Sequence, residues 1–237
     1  MNAMTEEPDD QSLDDTKRRV VEAALPDVAF DGWTDRTLAD AVERAMVDPA
    51  MGRLAFPRGG VDLALAFHMQ TDDDLAAALA AQDMEAMRYS EKVARAVETR
   101  LEMIAPHKEA VRRAAAMFAL PVYAADGARA VWHTADAIWT ALGDTSDDVN
   151  WYTKRAILSG VYSSAVLYWL GDQSEDMAKT RAFVARRIED VMQFEKVKAA
   201  VRDNPIGKAV MAGPGRILDQ IRKPQGGKPG FPGRWRD

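Results

Sequence analysis

The sequence predicts an all-α protein, and three observations support that prediction. A proline-free block lies between Asp144 and Asp172, and its apolar side chains recur at steps of three and four residues, as on one face of an α-helix. A second long block, from Ser174 to about Arg202, has the same period. Shorter blocks with this period precede them, separated by Pro, Gly and Asp. The 237 residues, 47% of them hydrophobic, suffice for one large domain or two small ones.

The N-terminal residues predict an acidic tail followed by a first helix. Residues 1–15 are rich in acids and show no helical period, which predicts disorder. The apolar positions of Thr16–Leu25 predict a helix, and we expect Pro26 to end it, because proline inside a helix removes a backbone hydrogen bond.

Two short helices follow, and with the first they predict a helix-turn-helix-like region over residues 16–60. Thr34 is the expected cap of one helix, and Asp48 begins another that ends near Phe56,. The spacing of these three helices is that of a DNA-binding domain. A transcriptional regulator is therefore the competing function.

The charge of this region argues against DNA binding. Between Asp27 and Gly60 there are six acids and four bases, so the region is net negative and would repel phosphates. Arg53 and Arg58 are the bases that remain as candidate phosphate contacts. We therefore expect no nucleic-acid partner.

Five more helices are predicted before the long central block. Gly59 and Gly60 precede them without the Lys-Ser/Thr of a phosphate loop, which indicates a hinge or a close-packing turn. The five share a helical period of apolar residues, and their predicted bounds are Val61–Gln70, Thr71–Ala81 with Thr71 and Asp72 as caps, Asp83–Ile104, His107–Leu120 and Gly127–Leu142.

The block from Asp144 to Asp172 predicts one long helix. Ser146, Asp147 and Asn150 are candidate N-caps, and Gly171 lies at the expected stop. One face of the helix carries Trp151, Arg155, Leu158, Tyr162, Ala165 and Trp169.

The start of this helix has two open interpretations. Aromatic side chains are usually buried, which favours a core helix. Trp, Tyr and Arg also dominate binding hot spots, which favours an exposed partner-binding patch formed by Trp151, Tyr152, Lys154 and Arg155.

Several separated motifs resemble one family. They are NWYTKRAILSGVY and LYWLGD in the central block, TRAFVARRIEDVMQFEK after it, and ALPDVAFDGWTD near the N-terminus. Together, over roughly Val20 to Lys198, they resemble the TetR-like accessory proteins of ubiquinone biosynthesis. The resemblance implies a TetR-like fold with a degenerate helix-turn-helix. It also implies a non-enzymatic lipid binder that assists the di-iron demethoxyubiquinone hydroxylase.

The resemblance further implies a lipid-binding and dimerisation region over residues 61–203. Isoprenoid lipid or a ubiquinone intermediate is the expected ligand. Trp151, Tyr152 and Arg155 match the partner-facing motif of the family, and Lys154 is expected as a charge at its rim. Two consecutive long helices are also what a TetR-like homodimer uses, although the same faces equally suit packing within one chain. The expected lipid-binding residues are Met84, Met87, Leu101, Trp132, Ile138, Trp139, Leu158 and Tyr162.

The C-terminal residues 204–237 predict a basic amphipathic segment with a Gly-Pro-Gly interruption, followed by a disordered tail from Lys223 to Asp237. Such a segment binds anionic membrane surfaces, although a frayed helix packed on the body has the same pattern. No stretch is long and apolar enough to cross a bilayer, and no secretory signal is seen, so we expect a cytoplasmic protein peripheral to the inner membrane. The expected membrane contacts are Ile206, Lys208, Val210, Arg216, Ile217, Ile221 and Arg222.

Motifs for catalysis are lacking in the sequence. There are no cysteines and no Glu-x-x-His pair, so neither a thiolate site nor a helical di-iron site is predicted. The three histidines fall in separate helices, and His133 with Asp136 is expected as a structural hydrogen-bonded pair. We therefore predict no enzyme activity, no metal and no cofactor besides a bound lipid or quinone.

Overall fold

The computed structural model describes residues 10–203, and within that range it confirms the all-α prediction. No β-strand occurs there, and 3₁₀ turns lie at Ala105–His107 and Glu175–Met177. The helices are α1 Asp10–Asp31, α2 Asp35–Arg44, α3 Pro49–Ala55, α4 Gly60–Ala80, α5 Tyr89–Ile104, α6 Lys108–Phe118, α7 Ala124–Ala141, α8 Val149–Gly171 and α9 Ala178–Asp203.

Helix α1 is longer at both ends than predicted. Residues 10–15, which the sequence placed in a disordered tail, form its first turns, and Pro26 lies inside it rather than at its end. Val20 and Val28 on either side of the proline are both fully buried. The packing of this continuous apolar face compensates for the one backbone hydrogen bond that the proline removes.

Helices α2 and α3 begin at the predicted caps. Thr34 Oγ1 accepts a hydrogen bond from the Thr37 amide at 3.1 Å, and Asp48 Oδ1 accepts one from the Ala50 amide at 2.8 Å. Each cap satisfies an amide that has no partner within its own helix. The predicted positions of both helices are confirmed.

The Gly59–Gly60 pair forms a close-packing turn, one of the two alternatives that the sequence indicated. Gly59 has φ +67°, a conformation that only glycine adopts without strain. The amide of Gly60 donates to Asp35 Oδ1 at 2.9 Å. A Cβ at Gly60 would lie 2.2 Å from the carbonyl oxygen of Trp33, so the position has no room for a side chain.

Helix α4 is one continuous helix where two were predicted. Thr71, the expected cap of a second helix, instead donates its hydroxyl back to the carbonyl of Phe67 at 2.8 Å. Such back-bonding satisfies a hydroxyl in mid-helix without ending the helix. Asp72, the other expected cap, is a buried member of the side-chain cluster described below.

Helix α5 begins later than predicted. The chain between Ala80 and Tyr89 is non-helical, so Met84 and Met87 precede the helix instead of lying on it. The Glu91 carboxylate accepts the amide of Arg88 at 2.8 Å, which makes Glu91 the side chain that caps the start.

The caps of the two last helices also differ from the prediction. Asp148 caps α8 by accepting the Asn150 amide at 2.9 Å, in place of the three candidates named from sequence. Asp176 and Met177 have positive φ of 51° and 55°, so α9 begins at Ala178. The predicted cap Ser174 still accepts a first-turn amide, that of Lys179, through its Oγ at 3.0 Å. The Asp172 carboxylate bridges this break through hydrogen bonds to Ser174 and Thr180.

The described chain divides into two compact units. One contains residues 10–71 and 104–130, and the other contains residues 72–103 and 131–203. This division differs from the predicted boundary after residue 60, because α4 and α7 each contribute to both units. In the first unit Trp33 packs on Phe67, with ring centroids 5.5 Å apart. The core of the second unit is built on Leu101, Ile138 and Trp169.

Candidate functional site

A buried group of charges lies at the start of α8, and we call it the α8 charge cluster. It consists of Asp136 on α7, Asp144 in the α7–α8 connection, and Lys154 and Arg155 on α8. Arg155 Nε bonds Asp136, and its Nη1 lies 3.1 Å from Asp144 Oδ2. Lys154 Nζ lies 2.7 Å from Asp144 Oδ1. Neither acid was named as a site residue from sequence, because its partner lies 10 to 19 positions away.

The electrostatics of the cluster fix Asp144 as an anion. Burial opposes its ionisation, but hydrogen bonds from Lys154, Ser146 and Arg155 outweigh that effect and lower its pKa to about 2. A carboxylate with this pKa is ionised throughout the neutral range. Asp144 is therefore suited to positioning the two bases.

Trp151 lies beneath the guanidinium of Arg155, which is 3.9 Å from its ring centroid. Only 8% of Trp151 and 2% of Arg155 are exposed. The prediction that these two side chains form an exposed patch is therefore wrong, and the core-helix interpretation holds for them. A buried arginine needs carboxylates close by to balance its charge. For Arg155 these are Asp136 on α7 and Asp144 in the α7–α8 connection. Tyr152 and Lys154 are half-buried and reach the surface.

Five aromatic side chains of the expected sites lie on α7 and α8, namely Trp132, Trp139, Trp151, Tyr152 and Tyr162. The Trp132 centroid is 6.1 Å from that of Trp151 and 6.4 Å from that of Tyr152. Trp139, one helical heptad along α7, instead stacks on Tyr89 at 5.9 Å. Tyr89 begins α5, and no motif or periodicity in the sequence indicated its contact with Trp139.

The other expected lipid-binding residues occupy different environments. Met84 is half-buried and Met87 is exposed, both in the connection before α5. The remaining four are side chains buried in the second unit, namely Leu101, Ile138, Leu158 and Tyr162.

A second buried cluster is centred on Asp72, whose side chain is fully buried. Arg100 Nε lies 2.7 Å from Asp72 Oδ1, and Thr134 Oγ1 donates to the same carboxylate at 3.0 Å. His133 Nδ1 lies 2.9 Å from Asp72 Oδ2. The predicted pairing of His133 with Asp136 is wrong, because Asp72 bonds the histidine and Arg155 bonds Asp136.

This arrangement makes the stability of the protein depend on the protonation of His133. The hydrogen bond to Asp72 raises the pKa of His133 above its ordinary 6.5, against the opposing effect of burial, and the charges of Asp72, Asp73 and Asp136 add to the rise. The stabilisation is complete below the unfolded-state pKa and is lost as pH rises through the folded-state pKa. We expect the Tm advantage of the wild type over His133→Gln to shrink between about pH 5.5 and about pH 8. Thermal unfolding followed by circular dichroism measures it, and a constant difference would contradict the prediction.

Comparison with known proteins identifies the family. The COQ9 family model matches residues 124–195. The COQ9 ubiquinone biosynthesis protein of rat is 30% identical over 215 residues, which are 88% of this chain and 68% of the rat protein. COQ9-B of Xenopus laevis is 31% identical and covers 88% of this chain and 72% of its own length. The chain belongs to the COQ9 family.

The residues matched by the COQ9 family model contain the whole α8 charge cluster and its aromatic neighbours.

A solved TetR transcriptional regulator from Nitrosomonas europaea has a TM-score of 0.59 and 18% identity, covering 74% of this chain and 97% of that one. This likeness confirms the TetR-like fold that the resemblance implied, and it shows the fold alone.

The arginines considered for DNA differ in their environments in this COQ9-family chain. Arg58 is paired with Asp62 at 2.8 Å and with Asp126 at 3.1 Å, so its guanidinium is already held by two carboxylates. Arg53 is exposed on α3. The absence of a nucleic-acid partner stays a prediction.

His68 and His107 lie in separate environments, and the expected absence of a metal site and of a membrane span stays a prediction for the whole chain. His68 Nε2 lies 2.9 Å from the carbonyl oxygen of Ala130, and burial lowers the pKa of His107. Residues 10–203 contain no group of three or more His, Asp or Glu side chains arranged to hold a metal. In the same range, no helix is both long and apolar enough to span a bilayer. The predicted membrane segment, from Ile206 to Arg222, lies outside the described residues.

The predicted homodimer stays a prediction for this COQ9-family chain. Leu167 is 66% exposed on α8, and a Cβ at Gly160 would meet no atom within 4 Å. Tyr168 stacks on Phe183 of α9 with ring centroids 4.5 Å apart. Gly160, Leu167 and Tyr168 thus give α8 an accessible and partly apolar surface. Helices α8 and α9 are the two for which dimerisation was expected.

Proposed function

We propose that the chain is a non-enzymatic accessory protein of ubiquinone biosynthesis. It binds an isoprenoid quinone intermediate and assists the demethoxyubiquinone hydroxylase at the membrane surface. Membership of the COQ9 family carries the proposal, since relatives that match 88% of this chain are named as ubiquinone biosynthesis proteins.

The charged groups beside the aromatic side chains support a binding role. A general acid or base works best with a pKa near the operating pH, whereas Asp144 is held ionised with a pKa of about 2. Asp136 is committed to Arg155 and Asp72 to Arg100. These carboxylates serve the fold, and the proposal assigns them no step of proton transfer.

The composition of α7 and α8 supports a lipid as the ligand. Trp132, Trp139 and Tyr162 supply aromatic surface in the second unit, with aliphatic Ile138 and Leu158 on the same helices. Exposing a polyprenyl tail to water costs ~0.8 kcal/mol per CH₂. A protein that covers the tail therefore lowers the barrier for the lipid to leave the bilayer.

The surface above the α8 charge cluster supports a docking role. Tyr152 lies edge-on to Trp151, with ring centroids 4.8 Å apart, and Lys154 is held by Asp144 and Ser146. Both surface side chains are thus fixed before a partner arrives, which reduces the entropy lost on binding. We assign the direct contacts to Tyr152 and Lys154, and a positioning role to Trp151 and Arg155 beneath them.

The test has two parts. Native mass spectrometry of the purified chain, followed by lipid extraction, is expected to detect a bound isoprenoid quinone or its precursor.

Tyr152→Ala is expected to weaken hydroxylase binding about thirty-fold, which corresponds to the ~2 kcal/mol of a hot-spot residue, while lipid content and Tm stay unchanged. Surface plasmon resonance with the immobilised hydroxylase measures the affinity.

Tyr168→Ala is the matched control, since Tyr168 lies on the same helix, is 39% exposed, and is far along α8 from the proposed contact. It should leave hydroxylase affinity unchanged. Equal losses from both tyrosines would contradict the docking surface, and a ligand-free preparation would contradict lipid binding. A salt-dependent mobility shift with DNA would instead favour the TetR-family regulator as the function.

A further inference from the structure

The indole N–H of Trp139 is a buried hydrogen-bond donor for which the described part of the chain provides no acceptor. Trp139 is 9% exposed, and its Nε1 atom is buried with no hydrogen-bond partner among the described residues. Most buried polar atoms in folded proteins are paired, because an unpaired donor loses its bond to water without gaining another. An acceptor for this donor has to come from outside the described residues.

A second buried tryptophan shows what the fold does elsewhere. Trp33 is 6% exposed, and its Nε1 donates to the carbonyl oxygen of Ala110 at 2.9 Å. Both side chains are tryptophans buried to a similar extent, yet the described residues supply an acceptor to the indole of Trp33 and none to that of Trp139. Trp139 therefore differs from Trp33 in the hydrogen bonding of its indole N–H and not in how far its side chain is buried.

The groups around Trp139 suit a flat ligand that carries oxygen. Tyr89 stacks on the indole with an interplanar angle of 29° and is itself 47% exposed, so its ring connects the buried indole with the surface. Lys154 Nζ lies 5.4 Å from the Trp139 ring centroid, and cations attract both aromatic faces and oxygen acceptors. An aromatic ring with carbonyl or hydroxyl groups matches both features.

We propose that the Trp139 indole N–H donates a hydrogen bond to a ring oxygen of the bound quinone or phenol head group. The residue then selects ligands that carry this oxygen over ligands that are only hydrocarbon. Tyr89, which is exposed and stands at the first residue of α5, turns aside to admit the head group and packs against it. This assignment rests on the proposed binding of quinone lipids and specifies which atom of the protein recognises the head group.

The test compares two ligands that differ in their oxygens. A decyl-substituted benzoquinone and decylbenzene carry the same alkyl chain, and only the first has an acceptor. We expect Trp139→Phe to weaken quinone binding about five- to tenfold, the usual effect of one hydrogen bond, and to leave decylbenzene binding unchanged. Because the substitution removes an unpaired donor, the Tm of the ligand-free protein should stay equal or rise. Isothermal titration calorimetry and thermal unfolding give these values.

Trp33→Phe is the control, since it removes an indole N–H that already has an acceptor. It should lower the Tm and leave the ratio of the two affinities unchanged. In the wild type, the indole proton signal of Trp139, identified by its loss in Trp139→Phe, should move downfield in the ¹H–¹⁵N spectrum with the quinone and not with decylbenzene.

The alternative outcomes separate the two proposals. Equal weakening for both ligands in Trp139→Phe would mean that Trp139 only packs, and it would overturn the hydrogen bond while leaving lipid binding intact. Unchanged affinity for both ligands, with no shift of the indole proton, would also overturn it. A wild-type protein that binds neither ligand would overturn the proposed lipid binding and this assignment with it.

Discussion

Arg155→Met is expected to lower the free energy of unfolding by about 3–5 kcal/mol. The substitution keeps an unbranched apolar stem but removes the only guanidinium that bonds both Asp136 and Asp144 in the described structure. The side chains of these two acids are 8% and 2% exposed, so water cannot replace the lost partner. For a chain of this size the change lowers Tm on the order of 10 °C. Urea unfolding followed by circular dichroism measures it.

Two variants show whether the loss comes from unpaired charge. Arg88→Met removes an arginine whose side chain is 81% exposed and pairs with Glu91 at the surface, and it should cost less than about 1 kcal/mol. Adding Asp136→Asn and Asp144→Asn to Arg155→Met removes the uncompensated anions and should restore much of the stability. Normal stability of Arg155→Met together with loss of hydroxylase binding would contradict the buried role.

Asp72→Asn is expected to cost a similar amount, about 3–5 kcal/mol. It leaves Arg100, whose side chain is 1% exposed, buried without the carboxylate that balances its charge. The same substitution removes the anion that raises the pKa of His133. Stability should therefore fall, and the part of its pH dependence that comes from the hydrogen bond between His133 and Asp72 should disappear. Thermal and urea unfolding at several pH values measure both effects.

Asp74→Asn is the matched control for Asp72→Asn. Asp74 lies two positions along α4 and is exposed, so the same loss of charge there should change stability by no more than about 0.5 kcal/mol. Equal effects at the two positions would show that net charge, and not the buried pair with Arg100, governs stability.

Most helices could be predicted from the sequence because their signals are local. The caps Thr34 and Asp48 bond amides two or three residues away, and the apolar period of α8 is visible within a few turns. The errors in helix bounds arose where tertiary packing outweighed a local sequence signal. Packing of α1 on both sides of Pro26 outweighed a proline signal.

The candidate site was harder to predict because its partners are distant in sequence. Trp151 and Arg155 have the composition of a binding hot spot, and only the position of Asp136 and Asp144 decides that they are buried. Asp72 follows Thr71 in a pattern typical of a helix cap, yet it bonds Arg100, 28 positions away. Periodicity indicates which side chains share a face, but it does not specify which acid of another helix faces which base.

The balance of charge in the α8 charge cluster limits how this region can diverge among relatives. Its two acids and two bases neutralise one another, so a change to Asp136, Asp144 or Arg155 leaves an excess charge in the protein interior. Tolerated evolutionary changes there are those in which an acid and a base are exchanged together. Covariation between positions 136, 144 and 155 would therefore record the fold of this family, independently of which lipid or enzyme each member serves.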